Sequence, residues 1–173
     1  LRDELSEDTI REIREKISQY EALSSSKKAA IVSNATVGQP IPYSFFPHAG
    51  TLGRDIYIGN FVDQTHGQGI PTAWDCSDRT YSNHTGEDSV IRSFHEQAIG
   101  QPVFAAMTGR VVGWRDDAFD ANTSCSAGVP VNFILLDHGQ QQYSIYLHFR
   151  QFSIPQELKV VGLLVKAGTQ LGL

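Results

Sequence analysis

From about residue 36 to the end of the chain, the apolar residues fall in short runs cut by glycine and proline, as in VGQPIPYSFFPHAGTLGRD. Short runs bounded in this way specify strands joined by turns, and they predict a mainly β fold built from antiparallel pairs. DIYIGNFV reads as a short strand, and QTHGQGIPTAWDCSDRTYSN as a long loop of the kind that more often carries function than not. In GQPVFAAMTGRVVGW, PVFAA and RVVGW flank Thr108-Gly109 and read as a hairpin. A second hairpin is expected from VNFILLD and QYSIYLHF around HGQQ. In its last strand Tyr143, Ile145, Leu147 and Phe149 are expected to face the core, and Ser144, Tyr146 and His148 the polar side. The tail VGLLVKAGTQLGL gives short strands separated by Gly162, Gly168 and Gly172.

The N-terminal segment differs. In LSEDTIREIREKISQYEAL, residues 5 to 23, Ile10, Ile13, Ile17 and Tyr20 recur at helical spacing and form one apolar stripe. Glu7 and Asp8 suit the positive end of a helix that starts near Ser6. SSSKKAA then interrupts the pattern. The organisation expected is an N-terminal helix and linker over residues 1–35, followed by one main domain over residues 36–173.

Composition narrows the function. The formal net charge is −5, and lysine and arginine never gather into a patch, so neither nucleic acid nor an acidic membrane surface is an expected partner. No apolar run approaches the roughly 20 residues that span a bilayer. The opening residues LRDELSED are acidic and polar, unlike a signal peptide. With no Met at position 1, the chain is expected to be a processed product or a fragment. Cys76 and Cys125 have no near partner at metal-knuckle spacing and are candidates for one disulfide or two separate thiols.

The stretch HTGED places His84 and Asp88 four residues apart around Gly86. Imidazole and carboxylate are both zinc ligands, and a glycine between them allows the tight turn that would bring them to one point. Alone, such a spacing is a weak sign, since a polar turn reads the same way. Its surroundings make it stronger. RTYSNHTGEDSVIRSF, GQPVFAAMTGRVV, YLHF and VKAGTQLG follow one another in an order that resembles the lysostaphin/LytM-type zinc metallopeptidases. The resemblance runs from about Pro47 to the last residue and leaves the N-terminal helix outside.

That resemblance implies an antiparallel sandwich of the LytM (duplicated hybrid motif) type with long loops. It implies Zn²⁺ as cofactor, held by His84 and Asp88, and His148 of YLHF as a catalytic histidine that does not hold the metal. It further implies a peptide substrate from bacterial peptidoglycan, and export to an extracellular or periplasmic site. The family's third ligand and second catalytic histidine come from an H-x-H motif shortly after the glycine turn. The chain stops at Leu173, before that motif, so an incomplete catalytic set is expected. Leu163 also departs from the acidic residue often found after the glycine in this family. The alternative function is a non-catalytic LytM-like binding or regulatory module. A lipoyl- or biotinyl-type sandwich shares the P-V-x-A hairpin but would need a lysine where Thr108-Gly109 stands.

Other polar residues have plainer expectations. His138 in DHG reads as a solvated turn residue, His48 and His66 as surface loop residues rather than the lining of a substrate groove, His95 as a surface histidine or one that supports a ligand from behind, and Glu87 as solvated. Asp116, Asp117 and Asp120 lack the dense spacing of a calcium loop and read as a polar connection. No G-x-S-x-G occurs, and no serine has an evident base partner, which disfavours a serine hydrolase.

Overall fold

The computed structural model describes residues 5–23, 42–123 and 129–173. It is mainly β, with antiparallel sheets and few helices. The chain divides into two compact units: Ala49–Gln101 forms one, and the helix with Pro102–Leu173 forms the other, which also takes in the residues leading up to His48.

In the helix-bearing unit, α1 spans Glu7–Glu21. Ser6 caps it by accepting the Thr9 N–H at 3.2 Å, while Glu7 and Asp8 lie against the unsatisfied N–H groups of the first turn. Its stripe docks on a four-stranded antiparallel sheet of order β6-β5-β4-β7, where β4 is Gly109–Arg115, β5 Phe133–Asp137, β6 Tyr143–Leu147 and β7 Leu164–Val165. Tyr20, Ile13, Ile17 and Leu23 pack against Val112 and Leu135. Full burial of such a side chain contributes about 1.5–3 kcal/mol, and the partly buried Ile13, Ile17 and Leu23 contribute less. Gly113 permits the approach, because a Cβ there would lie 2.6 Å from Cδ of Lys16. Glu12 of the helix pairs with Arg115 at the end of β4.

The opposite face of the sheet carries the main core, where Val111, Ile134 and Leu136 meet Ala105, Phe149, Ile154, Leu158, Val165 and Leu171. Both faces of β5 are therefore covered, which explains why FILLD is apolar without alternation. This arrangement corrects the expected facing of β6. Ser144 is buried and Tyr146 packs on the main core, whereas Ile145 is exposed. Phe149 nevertheless reaches the main core because His148 adopts φ 60°, and that left-handed residue breaks the two-residue alternation just past the strand.

The second expected hairpin forms, with Asp137 opposite Tyr143 and Phe133 opposite Leu147. The first does not. β3, Val103–Phe104, pairs with β8, Gln170–Gly172, and the pairing continues as Ala105 donates to the Thr169 carbonyl and Gly168 to that of Ala105. β4 instead pairs with β5 and β7. Thr108-Gly109 carries the chain between two sheets; a Cβ on Gly109 would lie 2.7 Å from the His138 ring.

The alkaline stability of the helix-bearing unit follows from Tyr20. Burial pushes its phenol up to about 12, and the Asp137 carboxylate adds to the rise. A tyrosine in the unfolded chain ionises near 10. The folded state favours the neutral phenol, so its contribution is fully present below about pH 10 and is lost as pH rises through the folded value. Tyr143, whose hydroxyl donates to Glu21 at 3.0 Å, is shifted in the same direction by burial. Denaturation followed by circular dichroism should therefore show a steep fall in stability above about pH 10. Tyr20→Phe should flatten part of that fall; an unchanged pH profile would mean that the phenol is not held neutral by the fold.

The other unit contains β1, Tyr57–Asn60, paired antiparallel with β2, Asp88–Val90, and a short helix α2, Phe94–Ile99. Neither β2 nor α2 was evident from sequence pattern; Ser93, accepting the Glu96 N–H, starts a helix of under two turns.

Candidate metal centre

β1 and β2 are joined by residues 61–87, which hold no helix or strand. Their order comes from a buried carboxylate. Asp63, 1% exposed, accepts the Thr65 hydroxyl at 2.7 Å and the N–H groups of Thr65, Gly67 and Asn83 at 2.9–3.0 Å. The Thr65 hydroxyl, helped by those amides, holds the Asp63 carboxyl well below the usual carboxylate range against the opposing effect of burial. Its own N–H donates to the His84 carbonyl at 2.8 Å, and the His84 N–H donates to the Tyr81 carbonyl at 3.0 Å. Asp63 thus ties the beginning of the connection to its end.

His84 is 7% exposed, with its ring against that of Tyr81, centroids 4.3 Å apart. Its Nε2 is buried and has no hydrogen-bond partner. Leaving a buried polar nitrogen unpaired costs about 1–3 kcal/mol. The nearest complementary group is Oδ1 of Asp88, at 3.5 Å. That is long for a hydrogen bond between nitrogen and oxygen. It is close to the separation of two ligands on a tetrahedral zinc ion, where bonds near 2.0–2.1 Å set donors about 3.3 Å apart. The second carboxylate oxygen, Oδ2, accepts from Nδ2 of Asn60 at 2.8 Å. The pair therefore fits a zinc ion as two of its ligands. Among the described residues, no group of three histidine, cysteine, aspartate or glutamate side chains forms a metal site.

The remaining expected site residue, His148, belongs to the helix-bearing unit, where it is exposed just beyond the end of β6. Glu87, His66 and His95 are exposed, as their sequence context suggested. His48 is partly buried with its ring on the edge of Phe46, and burial lowers its pKa.

His138 corrects the sequence reading. It is 1% exposed, with Nδ1 at 2.9 Å from the Thr108 carbonyl and Nε2 at 2.7 Å from the Ser144 hydroxyl. The carbonyl makes Nδ1 a donor, so in the neutral ring Nε2 accepts from the Ser144 hydroxyl, and the histidine joins β5 to β6 and to the start of β4. Burial lowers its pKa accordingly.

Asp116 is likewise no mere polar linker. It is buried, accepts the Ile154 N–H at 3.1 Å and pairs with Lys159 at 2.6 Å. Asp117 is exposed and Asp120 partly so. Cys76 is exposed, and the candidate disulfide with Cys125 lies outside the described residues.

Two residues of this centre, Asn60 and Asp63, escaped sequence reasoning. Both sit in GNFVDQ, where nothing in residue type separates them from ordinary polar loop residues. Only the fold brings them to Asp88 and His84. Compared with protein-family models, curated proteins and solved structures, the chain matches none.

Proposed function

We propose that the chain carries the metal-binding pair of a zinc-dependent endopeptidase of the lysostaphin/LytM type, cleaving peptide cross-links of bacterial cell wall outside the cytoplasm. The observation that carries this reading is the buried, unpartnered Nε2 of His84 set 3.5 Å from Asp88 Oδ1. A histidine serving only as a turn residue would gain by turning that nitrogen to water or to a donor. Antiparallel sheets and a long ordered connection before Asp88 agree with a LytM-type sandwich in class.

In this reading His84 and Asp88 are two protein ligands, and the third comes from the H-x-H segment that the resemblance puts after the glycine turn. Bound there, zinc supplies Lewis acidity toward the scissile carbonyl. His84 contributes Nε2, while Asp88 contributes one oxygen and keeps the other on Asn60. The resemblance gives His148 the part of the catalytic histidine that does not hold the metal, a group that hydrogen-bonds the carbonyl oxygen or orients the attacking water.

A non-catalytic LytM-like module is the second reading, favoured by the lack of a third ligand among the described residues. Zinc titration and hydrolysis of purified peptidoglycan separate the two. The 173-residue chain should bind zinc weakly and cleave little, because two protein ligands seldom hold the ion. A chain continued through an H-x-H segment should gain in both. No zinc binding by either would overturn the metal site, and tight binding without cleavage by the longer chain would favour the module.

A further inference from the structure

We infer that Asn60 is a positioning residue of the His84–Asp88 pair: it fixes one carboxylate oxygen of Asp88 so that the other is held toward His84. This rests on the pair being a zinc site, as proposed above.

The register of β1 against β2 carries the inference. Tyr57 lies opposite Val90 and Ile58 opposite Ser89, and unbroken pairing would set Gly59 opposite Asp88. A bulge intervenes, and Asn60 takes that place instead. Glycine has no side-chain donor. The extra residue therefore exchanges an empty position for an amide whose Nδ2 reaches Oδ2 of Asp88 at 2.8 Å. β-Bulges commonly re-aim a side chain in this way beside functional sites, at the cost of a ladder hydrogen bond.

The geometry suits a ligand better than a plain structural contact. A carboxylate free to rotate about its Cβ–Cγ bond could turn either oxygen, or both, toward His84. With Oδ2 occupied by Asn60, only Oδ1 remains directed at Nε2. Asp88 is then a one-oxygen ligand before any ion arrives, and less ordering is needed on binding. Asn60 is only partly buried, so a purely stabilising role would leave its amide free to exchange Asp88 for water.

Asn60→Ala tests this through zinc affinity, measured by competition with a chromophoric chelator on the 173-residue chain. Loss of a partner that orients a ligand weakens metal binding by about 10–100-fold. Asn60→Leu, which keeps bulk without a donor, should show the same loss. Gln101→Ala serves as control, since it removes a 2.7 Å bond to the Ala49 carbonyl in the same unit without touching the pair. It should leave zinc affinity within about twofold of the parent, well below that loss. Equal zinc affinity in parent, Asn60→Ala and Asn60→Leu would overturn the inference, as would an equal weakening in Gln101→Ala. No zinc binding by the parent or by a chain continued through an H-x-H segment would instead overturn the proposed function, and this inference with it.

Discussion

His84→Ala is expected to remove zinc binding, whereas His148→Ala is expected to leave zinc bound and slow cell-wall hydrolysis by about a hundredfold or more. The contrast follows from where the two imidazoles stand. His84 is buried with Nε2 aimed past its own hydrogen-bond range at Asp88, so alanine deletes a ligand and opens a hole beside Tyr81. That leaves Asp88 and the ligand from the H-x-H segment, and two protein ligands seldom hold the ion. His148 is exposed beyond β6 and belongs to the other unit, so its loss leaves both ligands in place. The scale of its effect is that of one lost acid–base or oxyanion-stabilising group. Calorimetric zinc titration and hydrolysis of purified peptidoglycan, both on a chain continued through an H-x-H segment, read the two effects separately. If His148→Ala lost zinc as well, His148 would have to be reassigned as a ligand.

Lys159→Met should produce the largest loss of stability in the helix-bearing unit, about 3–5 kcal/mol, the range for removing one partner of a buried ion pair. Asp116 is 6% exposed and Lys159 only 17%, and their charged atoms are 2.6 Å apart. Methionine fills the space of the lysine stem but leaves the carboxylate without its cation. Asp116 cannot simply turn outward, because Oδ1 accepts the Ile154 N–H, and its carbonyl accepts that of Phe152 at 2.7 Å. Adding Asp116→Asn should restore much of the loss, since the amide oxygen still accepts from Ile154 without carrying a charge. Urea denaturation of the parent, the single and the double variant measures this. A loss under about 1 kcal/mol, the scale of an exposed pair, would show that the carboxylate is not sealed from water.

Local patterns were legible where one residue-by-residue rule governs. The helix appears within two residues of its expected ends because its stripe, its Ser6 cap and its acidic first turn agree. The second hairpin forms for a similar reason: two apolar runs flank a short polar turn. The first hairpin failed although it had the same signature. Pairing partners are chosen by burial across the whole sheet, and PVFAA gains more from β8 than from its neighbour in sequence.

Facing failed in β6 because alternation marks which side of a strand differs, not which side is core when both are covered. Ser144 is buried there, and Tyr146 partly so, by virtue of their partners. Ser144 meets His138, and the Tyr146 hydroxyl accepts the Ala106 N–H at 2.8 Å. His138 was misjudged for the same cause. A histidine beside a glycine turn reads as solvated, and only long-range contacts supply the carbonyl and hydroxyl that let it be buried neutral.

By itself the sequence determined the mainly β class and the docking face of α1, since each depends on spacing along a short stretch of chain. Tertiary structure alone decided the partners of β3, the buried roles of Asp63, Asp116 and His138, and the placing of Asn60 opposite Asp88. Those depend on which distant groups exclude water from a polar atom and satisfy it in return. Distance along the chain carries no record of that exchange.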